Sequence, residues 1–209
     1  MGRYTEATCK LCRRNGEKLF LKGERCHTAK CSFTRRSYPP GISGPAAMRR
    51  RKTSEYGIRL KEKQKAKWCY GMGERQFRKY FTNSAKQKGM TGTNFMKMLE
   101  SRLDNFIFRL GLTASRQQAR QLIRHGHFKV NENKVDIPSI LLKINDTVTI
   151  KEKSLPLFTK AIELIAKKKS ASWYSFDVVK KEGRFLAYPE KTEIDTPAEE
   201  QMIVEFYSR

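Results

Sequence analysis

Acidic residues are scarce in this chain of 209 residues: 21 Asp and Glu stand against 44 Lys and Arg, a net charge of +23. With a sequence pI near 10.0, such a surface calls for a polyanionic partner. Long apolar runs are also missing. No stretch approaches the roughly 18 apolar residues of a membrane span, and the opening Met1-Gly2-Arg3-Tyr4-Thr5-Glu6 has no apolar segment of signal-peptide type. Neither membrane insertion nor secretion is expected. The three histidines, His27, His125 and His127, form no HExxH, and neither GxxxxGK[ST] nor GxSxG occurs. No internal repeat or low-complexity tract is present. No small-molecule substrate is expected, and no basic amphipathic helix with a broad exposed apolar face offers itself to an anionic membrane.

What is present is unevenly spread. Residues 1–100 hold 25 Lys and Arg against 7 Asp and Glu, a net +18; residues 101–209 hold 19 against 14, a net +5. Self-repulsion in the first half is a cost that a nucleic acid relieves. The 38% of hydrophobic residues can still fill one or two modest cores.

The pattern predicts an α+β protein in four parts: a basic, cysteine-bearing segment and connector over 1–45, a helical domain over 46–92, a small α/β module over 93–170 and a β-rich region over 171–209. The connector Ser37-Tyr38-Pro39-Pro40-Gly41-Ile42-Ser43-Gly44-Pro45 is too rich in Pro and Gly for a helix. Residues 55–68 are good helix formers, and 74–88 carry Phe77, Tyr80, Phe81 and Ala85 at helical spacing. A third helix is predicted over 94–110, capped by Thr93 and stopped at Gly111. Ser115 and Gln118 then stand at capping-box spacing, opening a helix of about ten residues that ends at Gly126. Phe128 and Val130, Val135 and Ile137, and Val148 and Ile150 alternate as short strands, with turns at Asn131–Asn133 and Asn145-Asp146. Residues 157–169 read as a helix ending in Lys167-Lys168-Lys169. Trp173–Val179 and Arg184–Tyr188 flank Lys180–Gly183 as a hairpin, and Met202, Val204 and Phe206 read as a last strand.

Cys9, Cys12, Cys26 and Cys31 form two close pairs, Cys-x2-Cys and Cys-x4-Cys, thirteen residues apart. Four thiolates around one tetrahedral Zn2+ suit that spacing, and such a closed site is structural. An iron–sulfur cluster also takes four cysteines and stays open as the alternative. Paired disulfides are disfavoured in a chain with no secretory signal. Residues 1–36 have too few core residues to fold without a tie, which a metal supplies. His27, beside Cys26, can substitute as a ligand but, with four cysteines present, reads as an RNA or solvent contact. Cys69 reads as a buried small residue.

In the capped helix, Arg116, Arg120 and Arg124 recur every fourth residue, opposite Ala119, Leu122 and Ile123, and read as an exposed cationic ridge. The strand after Gly126 completes an L-shaped surface suited to RNA, which is recognised through shape, phosphates and 2′-hydroxyls.

The stretch from Ser101-Arg102-Leu103-Asp104-Asn105 to Arg109-Leu110-Gly111, then Ser115 to His127, Val130-Asn131 and Val135-Asp136-Ile137-Pro138-Ser139, resembles the RNA-binding module named after ribosomal protein S4. The rest resembles the bacterial members of the same ribosomal protein family: Gly2-Arg3-Tyr4, Tyr38-Pro39-Pro40-Gly41, Leu60 to Lys65, Tyr70-Gly71, Glu74-Arg75-Gln76-Phe77 and the ending Val204 to Arg209. The resemblance implies a primary binder of small-subunit ribosomal RNA that contacts the 5′ domain, nucleates assembly, neighbours other ribosomal proteins, notably S5, and bears on decoding accuracy. It further implies a ribosome-bound, cytoplasmic protein. The four cysteines place the chain with the metal-bearing members. Where the module often has Asn-Gly after its strand, this chain has Asn131-Glu132-Asn133.

On these grounds RNA contacts are expected from Arg3, Arg13, Arg14, Lys22, Arg35, Arg36, Arg49, Arg50, Arg51 and Lys52 in the N-terminal stretch. Arg59, Lys63, Lys67 and Arg75 follow in the helices, and Arg116, Gln117, Arg120, Arg124, His125 and Lys129 in the module. Arg120→Glu is expected to weaken binding and leave the fold intact. Two rival readings remain. An RNA-modifying enzyme is suggested by Arg102-Leu103-Asp104, similar to a segment of pseudouridine synthases, yet no separate catalytic domain of adequate size exists. A sequence-specific DNA regulator lacks both a dimerisation segment and tandem fingers.

Overall fold

The helices of the computed structural model, which describes residues 4–42, 44–48, 54–167 and 171–208, are in chain order α1 (Cys9–Asn15), α2 (Ser32–Arg35), α3 (Glu55–Cys69), α4 (Glu74–Ala85), α5 (Thr91–Glu100), α6 (Leu103–Arg109), α7 (Arg116–Arg124), α8 (Leu155–Ala166) and α9 (Glu200–Tyr207). The strands are β1 (Phe128–Val130), β2 (Asn133–Val135), β3 (Thr147–Ile150), β4 (Tyr174–Asp177) and β5 (Glu182–Phe185). This is an α+β architecture. The chain divides into two units, residues 1–95 with 196–209 and residues 96–195.

The first unit is helical. Ser54 caps α3 by accepting a hydrogen bond from the Gly57 amide at 3.2 Å. In α4, Phe77, Tyr80 and Phe81 fall on one face and are buried. Phe95 meets Phe77 and Phe81 edge-on, at 5.0 and 5.7 Å between ring centroids. The stretch read as a last strand is instead the helix α9. Its alternating Met202, Val204 and Phe206 coexist with a helical set, Ile203, Phe206 and Tyr207, and the second pattern finds partners. Ile203 is fully buried, Phe206 lies 5.7 Å from Tyr56, and Tyr207 lies 4.7 Å from Phe81. Region 171–209 is therefore not β-rich throughout: its hairpin joins the second unit and its terminal helix the first.

The second unit is built on an antiparallel sheet of order β2-β1-β3-β5-β4. Pairing of β3 with β5 makes the late hairpin an extension of the module's own sheet. Leu103, Phe106, Ile107, Leu122, Ile123, Phe128, Val148, Phe158, Trp173 and Phe185 form its core. Ser115 caps α7 as expected, accepting from the Gln118 amide at 3.2 Å, while Gln118 reaches back to the Ala114 amide at 2.9 Å. The turn after β1 places Asn131 at φ 46° and Glu132 at φ 67°, so Glu132 takes a left-handed position that suits glycine.

Several boundaries depart from expectation. Helix α5 opens at Thr91, so Thr93 lies inside it instead of capping it, and β2 runs over Asn133–Val135, which leaves Ile137 outside the strand and 56% exposed. The helix read over 94–110 breaks at Ser101-Arg102, where Arg102 is extended and bridges to Leu141. The Leu142 amide donates to the Ser101 carbonyl at 2.8 Å, and the Leu103 amide to the Ile140 carbonyl at 2.9 Å, so these groups serve a neighbouring segment instead of an unbroken helix. The hairpin turn is Val178–Lys181, and Gly183 lies within β5, where an added Cβ would sit 2.6 Å from Leu110. Helix α8 starts two residues early, at Leu155, with Pro156 in its first turn; Lys168 and Lys169 lie outside the described residues.

Candidate nucleic-acid interface

The cysteine segment folds as short turns. Gly16, at φ 72°, closes α1 by donating to the Cys12 carbonyl. All five cysteines are free thiols, and Cys12, Cys26 and Cys31 are buried. Burial pushes the Cys12 thiol up, against a hydrogen bond from the Leu19 backbone, and the neighbouring sulfurs of Cys26, Cys9 and Cys31 push it further. Burial likewise raises Cys26, whose Sγ accepts from the Lys22 amide at 3.4 Å. At Cys31 burial is outweighed by hydrogen bonds from the Thr34 and Phe33 backbone, and the net displacement is downward. Among the described residues, no three His, Cys, Asp or Glu groups converge closely enough to hold a metal ion.

Arg13 is committed internally. Its Nε donates to the Tyr38 carbonyl at 2.9 Å, its Nη2 to the Pro39 carbonyl at 3.3 Å, and its guanidinium lies 4.9 Å above the Tyr38 ring. It clamps the connector onto α1. Arg14, Lys22, Arg35 and Arg36 are exposed. Arg3, Arg49, Arg50, Arg51 and Lys52 lie outside the described residues.

On α3, three expected RNA contacts line a cleft of about 810 Å³ between α3, α4 and α9. Arg59 pairs with Glu205 at 2.6 Å and Glu55 at 3.2 Å. Lys63 and Lys67 both reach Glu74, at 2.7 and 2.9 Å, and the Tyr207 hydroxyl donates to the same carboxylate at 2.9 Å. Burial pushes the Glu74 carboxyl up, but the hydrogen bonds of Lys63, Lys67 and Tyr207 outweigh it and hold it at about 2. Arg75, by contrast, is exposed.

The arginine ridge on α7 is not the exposed face expected of it. Arg116 donates to Asn105 Oδ1 at 2.8 Å, lies 4.5 Å over the Phe108 ring and approaches Glu100 at 3.9 Å. Arg120 reaches Asp104 at 3.4 Å. These acids are buried: Glu100 also takes two bonds from Arg109 and one from Asn105, and Asp104 takes two from Arg102, at 3.0 and 2.6 Å. Two of the three arginines therefore neutralise carboxylates at the end of α5 and in the first turn of α6, and Arg120→Glu is not a surface change. Sequence spacing reveals the periodicity of the arginines and not the acids they face.

What α7 leaves outward is Gln117, Gln121, Arg124 and His125, and β1 adds Lys129. Lys129 stands directly opposite Lys134 in the β1–β2 register, and Lys134 and Lys151 crowd Gly126. Like charges paired across strands oppose sheet formation, and a phosphate chain removes that repulsion. Neither Lys134 nor Lys151 was among the expected contacts; the strand register, which sets Lys134 opposite Lys129, reveals the first of them.

Residues 3–100 match the family model described as ribosomal protein S4/S9 N-terminal domain, and residues 101–148 the S4 domain model. The chain is 50% identical to the small ribosomal subunit protein uS4 of Syntrophomonas wolfei and 50% identical to that of Acetivibrio thermocellus. It is 48% identical to uS4 of Thermus thermophilus, and each match covers 100% of both chains.

Proposed function

The chain belongs to the ribosomal protein S4 family, and from that premise we propose that it binds the 5′ domain of small-subunit ribosomal RNA, nucleates assembly there and supports decoding accuracy beside S5. It is a structural constituent of the small ribosomal subunit, bound to the ribosome in the cytoplasm, and not an enzyme. The observation that carries this reading is full-length correspondence with proteins named small ribosomal subunit protein uS4. The modifying-enzyme alternative loses its residue: Asp104 is 3% exposed and held by Arg102 and Arg120.

Binding works through charge and shape. The exposed Arg14, Lys22, Arg35, Arg36 and Arg75 of the first unit neutralise phosphates, each contact releasing counterions. In the second unit Arg124, His125, Lys129, Lys134 and Lys151 present a compact basic surface beside Gln117 and Gln121, whose amides suit 2′-hydroxyls. Arg116 and Arg120 act from behind, fixing α7 against the carboxylates of Glu100 and Asp104. A structural Zn2+ held by Cys9, Cys12, Cys26 and Cys31 belongs to the same proposal, with an iron–sulfur cluster as its alternative. The Cys-x2-Cys and Cys-x4-Cys spacing and the burial of Cys12, Cys26 and Cys31 support it. The metal supplies a cross-link for a segment poor in core residues.

The test is a salt titration of binding to the 5′ domain RNA beside an unrelated structured RNA of equal length. Affinity for both falls steeply with salt, and a large preference for the ribosomal RNA persists at physiological salt. Equal affinity would reduce the protein to a generic basic binder.

A further inference from the structure

Between the buried Leu19 and Leu21, Phe20 points outward and is 46% exposed. Among the described residues it is the one phenylalanine left exposed. Its backbone is left-handed, at φ 49°, a region that strains any residue carrying a Cβ. Glycine would hold this turn without strain, and the core gains little from a ring in water. Strain of this kind persists where a site needs it. His27 lies against the Phe20 ring, with centroids 5.0 Å apart and planes inclined by 26°, and is itself exposed. Residues 18–36 hold six Lys and Arg against the single acid Glu24, with Lys22, Arg25 and Lys30 exposed.

An exposed aromatic stack in a basic setting is what an unpaired base of single-stranded or looped RNA stacks on, since every base offers a π face. We propose that Phe20 and His27 form a platform that stacks one unpaired nucleobase of the bound RNA. The buried leucines fix its height, the left-handed turn aims it outward, and the surrounding cations hold the adjoining phosphates. The proposal rests on the reading that the chain binds ribosomal RNA.

The experiment compares the full-length protein with Phe20→Gly, Phe20→Ala and Phe20→Trp in binding to 5′ domain RNA across a salt series, with chemical probing of base reactivity in each complex. Stacking is not a counterion effect, so Phe20→Gly and Phe20→Ala lower affinity by about 5- to 100-fold and leave the slope against salt unchanged. One unpaired base gains reactivity while the remaining protections stay. Phe20→Trp retains both affinity and protection. Phe20→Gly also relieves the backbone strain, so its melting temperature is equal to or above that of the wild type. If the wild type prefers the ribosomal RNA and Phe20→Gly binds as tightly with unaltered base reactivity, the platform is overturned and the reading beneath it stands. Loss of the whole footprint with a lowered melting temperature overturns it too. If the wild type shows no preference, reading and platform fall together.

Discussion

Replacing Arg120 with methionine keeps most of its aliphatic stem and deletes the charge that meets Asp104 at 3.4 Å. The Asp104 side chain is 5% exposed and that of Arg120 24%. Asp104 retains Arg102 and the Asn105 amide, so the change removes one partly exposed charge-assisted contact, a loss of about 1–2 kcal/mol. For a unit of roughly 100 residues this lowers the melting temperature by about 5–15 °C. Arg120→Glu sets a second carboxylate beside a buried one and costs about 3 kcal/mol or more. Arg124→Met, on the exposed turn, changes stability by less than about 0.5 kcal/mol and instead reduces the salt slope of RNA binding by about 1. The assay is denaturation followed by Trp173, buried at 2% exposure, in a Trp68→Phe background so that one tryptophan reports. An Arg120→Met protein that melts with the wild type and loses RNA affinity like Arg124→Met refutes the inward assignment.

Two further outcomes follow from the first unit. Because Glu74 is held at about 2, below its ordinary 4.5, its stabilisation is fully present above the unfolded value and is lost as pH falls from about 4.5 toward about 2. Glu74→Gln flattens that part of the profile, and denaturation midpoints at pH 5 and pH 3 measure it; parallel profiles would remove Glu74 from the account. Full-length protein purified without chelator carries one zinc per chain, and Cys26→Ser abolishes this and opens residues 1–36 to protease. Unchanged metal content and protease resistance would exclude the cysteine site.

Local signals made much of the fold legible. Ser115 and Gln118 announced the start of α7, and the alternation of Phe128 with Val130 and of Val148 with Ile150 marked central strands. Failures arose where distant residues decide. No glycine or proline marks the break at Ser101-Arg102, because its cause is backbone pairing with residues 138–142. Residues 200–207 carry both a strand-like and a helical pattern, and only α3 and α4 choose between them. Within the interface, charge and spacing identified the basic residues but not their partners. Arg13, Arg59, Lys63, Arg116 and Arg120 all fit an RNA-binding composition, yet carbonyls of the connector and five carboxylates engage them. Arg124, His125 and Lys129 are left outward.

Helix α9 completes a unit whose other residues end at Phe95. The second unit, residues 96–195, is interposed in the sequence before that final piece is made. During synthesis the later-encoded unit therefore has all its strands while the earlier one still lacks the helix that seals its aromatic core. At about 5–20 residues per second, the N-terminal helices wait roughly 6–23 s for Ile203, Phe206 and Tyr207 to arrive. Through that interval Phe77, Phe81 and the stem of Lys63 remain partly uncovered, because Phe206 and Tyr207 are the rings that pack on them.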